Sequence, residues 1–118
     1  MGTKFIKKWA GRELENSCCV TEELKEFYKD FRTFLKNTLK NTNCELVSYT
    51  KGHFFVSGFV TNKTTQKIAY FNLSDLRFFN WSKQILYRTA EHVKDYTGGN
   101  NRYTTIENLA TELVKITQ

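Results

Sequence analysis

The residues between 88 and 100 combine side chains and backbone features that can hold an anion. Arg88 and Thr89 end a predicted strand, and charged residues and a Gly-Gly turn follow them. Exposed backbone N–H groups of such a turn can cradle a phosphate, while an arginine supplies a bidentate fork of donors. The residues of this candidate anion site are Arg88, Thr89, His92, Lys94, Asp95, Gly98, Gly99 and Asn100.

The same loop has a purely structural interpretation. Asp95 could pair with Arg88 or Arg77 and hold the chain where it crosses from one element to the next. A double glycine alone is a weak signal, and no Gly-Lys-Ser or Gly-Lys-Thr follows it as in a nucleotide-binding loop. Both interpretations of the loop therefore stay open.

Catalysis would require a base together with a nucleophile or a metal. His92 and Asp95, three residues apart, could form a general-base pair, with Lys94 contacting a phosphate. The acidic residues form no second cluster that would hold the two metal ions of a nuclease. The sequence therefore predicts no metal and no cofactor, and metal-independent cleavage of RNA is a further alternative to a binding function.

The cysteines and the hydropathy pattern indicate a cytoplasmic protein. Cys18, Cys19 and Cys44 match no zinc-binding spacing and are expected to be reduced thiols. The sequence has no apolar run of the roughly 20 residues that a membrane span needs. Its first residues lack the apolar core of a secretory signal, so we expect neither a membrane anchor nor secretion.

Positive charge is concentrated in the middle of the chain, whose net charge is +6 over 118 residues. Residues 1–20 have a net charge of +2, and residues 50–90 carry six bases against Asp75 alone, a net charge of +5. The six bases are Lys51, Lys63, Lys67, Arg77, Lys83 and Arg88. This distribution favours a polyanion or an acidic protein surface as partner, the alternative being an ordinary soluble surface rich in lysine.

The periodicity of the sequence predicts one α+β domain. Apolar residues at three- and four-residue steps predict helices over 21–41 and 105–117, the second opened by a Thr104–Glu107 capping box. In the first helix the acids come early and the bases late, as the helix dipole favours. Strands are predicted at 44–49, 53–60, 67–73 and 84–89. We expect an antiparallel sheet of three to four strands against an N-terminal and a C-terminal helix over 21–118, preceded by a basic arm or short helix over 1–20.

Aromatic residues on the predicted strands could serve as a stacking surface for bases. Because alternate residues of a strand point to opposite faces, Phe54 and Phe55 cannot both lie in the core of a regular strand. One set of rings must therefore face a helix, a partner or water. The rings available for stacking are Phe54, Phe55, Phe59, Tyr70 and Phe71, with Lys51, Lys63, Lys67 and Arg77 placed to contact the nucleic-acid backbone.

Residues 24–117 resemble small proteins of plasmids, phages and conjugative elements of Gram-positive bacteria. The segments that prompt the resemblance are FYKDFRTFLK (27–36), CELVS (44–48), GHFFVSGFVT (52–61), YFNLSDLRFF (70–79) and ILYRTAEHVKDYTGGNN (85–101). Some anti-CRISPR inhibitors of the type II Cas nuclease have small α/β cores of this kind. The resemblance implies a stoichiometric inhibitor of a host nucleoprotein, which as a basic protein would contact guide RNA or an acidic patch on the enzyme.

The sequence thus predicts a binding protein with two alternative partners. One is a nuclease or ribonucleoprotein of the host, and the other is RNA or single-stranded DNA bound without strong sequence preference. We expect the binding surface on the sheet and on the corner at 88–100, with the helices mainly as its support. The predicted binding residues are Lys51, Lys63, Lys67, Arg77, Arg88, His92, Lys94, Gly98, Gly99 and Asn100.

Overall fold

The computed structural model describes residues 3–12, 14, 22–52, 54–78 and 80–118, and it has the α+β architecture that the sequence predicts. Its helices are α1 (Thr3–Trp9), α2 (Glu22–Leu39) and α3 (Leu109–Ile116), and a short 3-10 helix spans Trp81–Lys83. Its strands are β1 (Cys44–Gly52), β2 (Phe55–Asn62), β3 (Ile68–Leu73), β4 (Ile85–Ala90) and β5 (Arg102–Thr104). These strands form one antiparallel sheet in the order β1-β2-β3-β4-β5, so each pairs with its neighbour along the chain.

The described part of the chain has one strand more than the predicted three to four. The additional strand is β5, whose Tyr103 pairs with Leu86 and whose Thr104 pairs with Ile85 of β4. Three residues are too few to show the alternation of apolar and polar side chains by which a strand is recognised in sequence. The prediction of the other four strands is confirmed, with boundaries that differ by at most three residues.

The C-terminal helix α3 begins later than its sequence suggests, at Leu109. The predicted capping box is wrong, because Thr104 belongs to β5 and the residue before the helix is Asn108, which makes no side-chain capping bond. A turn separates the two elements, and within it the Ile106 N–H donates to the Ser82 carbonyl oxygen at 2.7 Å. The sheet pairing of Thr104 therefore prevails over its local preference for a helix start.

Helix α2 covers one face of the sheet and supplies more aromatic residues to the core than any other described element. Phe27, Phe31 and Leu35 are completely buried, and the Phe31 ring packs edge-on against Phe71 of β3 with 5.9 Å between centroids. Burying a side chain of this size contributes about 1.5–3 kcal/mol. The amphipathic face that the sequence predicts for this helix is the face that holds the fold together.

The segment before α2, expected as an arm or a short helix, contains α1. Phe5, Trp9 and Leu14 are 7%, 0% and 2% exposed and belong to the same core as α2 and the sheet. The Phe5 ring stacks on Phe34 of α2 at 4.4 Å between centroids. The described part of residues 1–20 is thus packed into the domain.

Cys44 is a free, buried thiol whose sulfur lies 3.3 Å from the Thr117 hydroxyl, and Cys18 and Cys19 fall outside the described residues.

No helix among the described residues is both long enough and apolar enough to cross a bilayer. The described residues likewise contain no cluster of three His, Cys, Asp or Glu side chains with the spacing of a metal site.

Candidate functional site

The loop between β4 and β5, residues 91–101, is built around the carboxylate of Asp95. Its oxygens accept the backbone N–H groups of Glu91 at 2.9 Å, Gly98 at 2.9 Å and Thr97 at 3.3 Å. These hydrogen bonds, the one from Glu91 first, lower the pKa of Asp95 below its usual value. The N–H groups of Thr97 and Gly98 that could have cradled an anion thus already donate to a carboxylate of the chain itself.

Arg88 is buried beneath this loop and is 3% exposed. Its Nη2 donates to the Asp95 carbonyl oxygen at 2.6 Å and its Nη1 to the Thr89 carbonyl oxygen at 3.1 Å. The guanidinium carbon lies 4.6 Å from the centre of the Tyr70 ring. Of the two interpretations of the loop, the geometry matches the structural crossover in which Arg88 and Asp95 hold each other.

Arg88→Ala is expected to destabilise the fold by about 2–3 kcal/mol, because it leaves the buried Asp95 carbonyl without its donor. Urea unfolding followed by circular dichroism measures the loss, and Lys94→Ala, at an exposed residue of the same loop, is the control. An Arg88→Ala variant with wild-type stability would contradict the structural role and return Arg88 to the candidate binding residues.

The outer face of the sheet, turned away from α2, is covered where the sequence predicts stacking rings. Phe59 and Tyr70 are 1% and 8% exposed, and Tyr96 of the loop packs on both, at 5.4 and 5.8 Å between ring centres. Phe54 and Phe71 are also buried, and Phe55 is half-buried. The prediction of an open stacking surface is therefore wrong for Phe54, Phe59, Tyr70 and Phe71, whose rings are buried.

The remaining predicted binding residues are scattered over the surface. Arg77 forms an ion pair with Asp75, which lowers the pKa of that carboxyl, and its guanidinium lies over the Phe54 ring at 4.7 Å. His92 is exposed, and its Nδ1 lies 3.0 Å from the Val93 carbonyl oxygen instead of pairing with Asp95. The structure places Lys94, Gly99 and Asn100 at the exposed surface of the loop, and Lys63 and Lys67 at the turn between β2 and β3.

Lys51 is the exception, because it lies beside a row of bases on α2. Lys25, Lys29, Arg32 and Lys36 recur at four- and three-residue steps along the helix, and Lys40 follows directly after it. At about 100° per residue these five side chains lie within an arc of about 80°, and all are exposed. This row, the basic stripe, extends over about 22 Å at 1.5 Å per residue.

Three of the four acids of α2 lie on a different side of the helix, where bases from α1 and the turn after it neutralise them. Lys8 pairs with Glu26 at 2.6 Å and with Asp30 at 3.1 Å, and Arg12 pairs with Glu23. The Trp9 indole N–H also donates to Asp30 at 3.0 Å. Docking of α1 thus compensates this negative side of α2, while Glu22 pairs with Lys25 at the start of the basic stripe.

A groove of about 690 Å³ separates the basic stripe from β1. Among the described residues, Lys29, Arg32, Lys36 and Lys51 form no ion pair, and Lys25 pairs with Glu22 at 3.4 Å. We call this feature the basic groove; it is lined by Lys25, Tyr28, Lys29, Arg32, Thr33, Lys36, Tyr49 and Lys51, with no acid. Clustered bases in a concave surface concentrate positive potential there.

The basic character continues past the end of α2. An adjoining depression of about 500 Å³ is lined by Lys36, Lys40 and Lys63, together with Glu45. Lys51 and Lys63, both predicted from the charge of residues 50–90, therefore contribute to a surface whose larger part is on α2. The expectation that the helices serve mainly as support overlooked this surface.

A helical-wheel reading of residues 25–40 could have found the basic stripe. The order of charges along the axis, acids early and bases late, suggests only an adaptation to the helix dipole. The spacing of the bases around the axis shows that they share one side. The contribution of α1 has no comparable signal, because its pairing with Glu23, Glu26 and Asp30 depends on tertiary packing.

Comparisons of the chain with models of protein families, with curated proteins and with solved structures find no match. The function is therefore inferred from the residues and geometry of this chain alone, and the basic groove is the feature from which a ligand class can be inferred.

Proposed function

We propose that this protein binds RNA or single-stranded DNA through the basic groove, contacting mainly the phosphate backbone. The observation that carries the proposal is the alignment of Lys25, Lys29, Arg32 and Lys36 along one side of α2, facing Lys51 across the groove. A continuous row of exposed cations on a rigid helix matches the regular negative charge of a nucleic-acid backbone.

An ordinary lysine-rich surface accounts less well for this arrangement. Such surfaces mix both signs of charge, and α2 itself carries the acids Glu22, Glu23, Glu26 and Asp30. All of them except Glu22 pair with Lys8 or Arg12, so most of the negative charge lies apart from the bases around one helix. This separation favours a polyanionic ligand over a surface that is basic only for solubility.

The salt dependence of binding tests the proposal. With about five phosphate contacts, the slope of log affinity against log salt is expected to be about −3.5 for a single strand, and affinity falls about 100-fold between about 50 and 200 mM salt. Fluorescence anisotropy with a labelled single-stranded oligonucleotide measures both quantities. Absence of binding at about 50 mM salt would refute the proposed function.

The resemblance to inhibitors of the type II Cas nuclease supplies a cellular setting for the same groove. Guide RNA held by such a nuclease exposes phosphates that the basic groove could contact. A pull-down from cells with a type II system, with and without guide RNA, tests this setting. RNA-dependent enrichment of the nuclease supports it, and no enrichment in either condition refutes it while leaving binding of free RNA to be judged by the salt titration.

A further inference from the structure

Arg32 of α2 and Tyr49 of β1 are in contact where the two walls of the basic groove meet. The Tyr49 ring packs on the buried Phe31 ring at 6.3 Å between centroids and an interplanar angle of 29°. On the Tyr49 ring lies the Arg32 guanidinium, with its carbon 5.6 Å from the ring centre. An arginine held this way loses less conformational freedom when it binds a ligand.

The ring beneath Arg32 is fixed at its hydroxyl as well. The Tyr49 O–H donates to the Tyr28 carbonyl oxygen at 2.6 Å, and the Tyr28 O–H donates to the Gly52 carbonyl oxygen. Burial raises the pKa of Tyr49, so its hydroxyl remains a donor throughout the neutral range. The support for the guanidinium is therefore a rigid part of the fold.

The outer side of the guanidinium is available to a ligand. Arg32 is exposed and lines the groove, and it makes no side-chain hydrogen bond or ion pair with the described residues. Its planar group can stack on a base and still donate N–H groups in its plane to a phosphate. The other four bases that line the groove are lysines, whose ammonium groups are not planar and cannot stack on a base.

The size of the groove restricts what can reach this position. A volume of about 690 Å³ lies in the range of pockets that hold a small molecule, so the groove can admit one or two bases while the phosphates follow the basic stripe along α2. Bases in a duplex are stacked on their neighbours, and bringing one out costs a few kcal/mol. A single strand offers its bases without that cost.

We infer that Arg32, supported by Tyr49, is a base-stacking position, and that the basic groove therefore selects single strands with bases over duplexes and over bare phosphate backbone. This inference rests on the proposed function and assigns Arg32 a role distinct from that of the lysines, which contact phosphates only. Tyr96 covers the rings of Phe59 and Tyr70 on the outer face of the sheet, and the exposed rings of Phe78 and Tyr103 do not line the basic groove.

The test compares Arg32→Lys with wild type on three labelled ligands: a single-stranded oligonucleotide, its abasic analogue of equal length, and a hairpin duplex. Wild type is expected to bind the single strand at least about fivefold more tightly than the abasic backbone, which is the lower limit for one stacked base. Arg32→Lys keeps the charge but removes the plane, so its affinity for the single strand should fall to that for the abasic strand. Its affinity for the abasic strand should change by less than about twofold.

Lys36→Gln is the matched control, because it removes a charge and no plane, and should weaken binding to both single-stranded ligands by the same factor. Unchanged urea unfolding of both variants excludes a folding defect. If wild type binds the single strand and the abasic strand equally, or if Arg32→Lys weakens both equally, the stacking position is refuted and backbone binding stands. If no ligand binds at low salt, the proposed function and the stacking position are both refuted.

Discussion

A variant carrying Lys29→Gln, Arg32→Gln and Lys36→Gln is expected to bind single-stranded RNA or DNA about 100-fold more weakly than wild type at about 0.1 M salt. Each lost phosphate contact removes about 0.7 from the salt slope, which at this salt concentration corresponds to about fivefold in affinity. The three side chains are exposed and form no ion pair with described residues, so the fold should be unaffected. Anisotropy titrations at several salt concentrations give both the affinity and the slope.

The control variant loses the same number of positive charges, but at residues outside the basic groove. Lys83, Lys94 and Lys115 are exposed and lie outside the basic groove, and their combined replacement by glutamine should alter affinity by less than about threefold. The comparison separates a localised site from the general attraction of a basic protein for a polyanion. An equal loss in both triple variants would contradict the assignment of binding to the groove.

Trp9→Ala is expected to lower the free energy of unfolding by about 3–5 kcal/mol, the range for truncating a fully buried tryptophan. Trp9 is 0% exposed, and its ring packs edge-on against Phe27 at 5.3 Å between centroids. Its N–H donates to Asp30, and the Lys8 ammonium and Arg12 guanidinium lie over its ring at 5.0 and 4.9 Å. Urea unfolding measures the loss, which is a large part of the stability of a domain this size.

Trp9→Phe keeps most of the buried ring and separates packing from the hydrogen bond to Asp30, so it should lose clearly less stability than Trp9→Ala.

The alanine variant should also bind nucleic acid more weakly under conditions where it remains folded. When α1 undocks, Glu23, Glu26 and Asp30 lose their ion pairs with Lys8 and Arg12. The negative charge of these three acids then reduces the positive potential of the basic stripe. A loss of stability under about 1 kcal/mol would show that α1 is not part of the core.

The elements with long and regular patterns could be predicted from the sequence, and the local corrections have physical causes. Apolar spacing in α2 reports which side of the helix is buried, and β2 and β3, buried on both faces, are recognisable by their β-branched and aromatic residues. The start of α3 depends on whether Thr104 caps a helix or pairs with Ile85. In the structure it pairs with Ile85, so the helix begins later. Such competition between local and tertiary preferences is not visible in a segment taken alone.

The proposed basic groove shares its positive charge with the site predicted from the sequence, but most of its bases lie on α2. The bases of residues 50–90 belong to different surfaces, because most of them lie outside the strands. Only Lys51 and Arg88 are on strands, and the others are at the β2–β3 turn and in the segment between β3 and β4. Arg88, the residue best suited to bind an anion by type, is used inside the chain by Asp95 and Tyr70. Burial of an arginine under a loop that follows it by a few residues has no signature in composition or spacing.

Chemical-shift mapping tests most directly whether the basic groove is the binding surface. Isotope-labelled protein titrated with a single-stranded oligonucleotide at low salt should show its largest amide shifts at residues 25–40 and 49–52. The loop at 91–101 and the outer face of the sheet should change little. Shifts concentrated on that loop and around Tyr103, with none along α2, would contradict the account and place binding on the sheet.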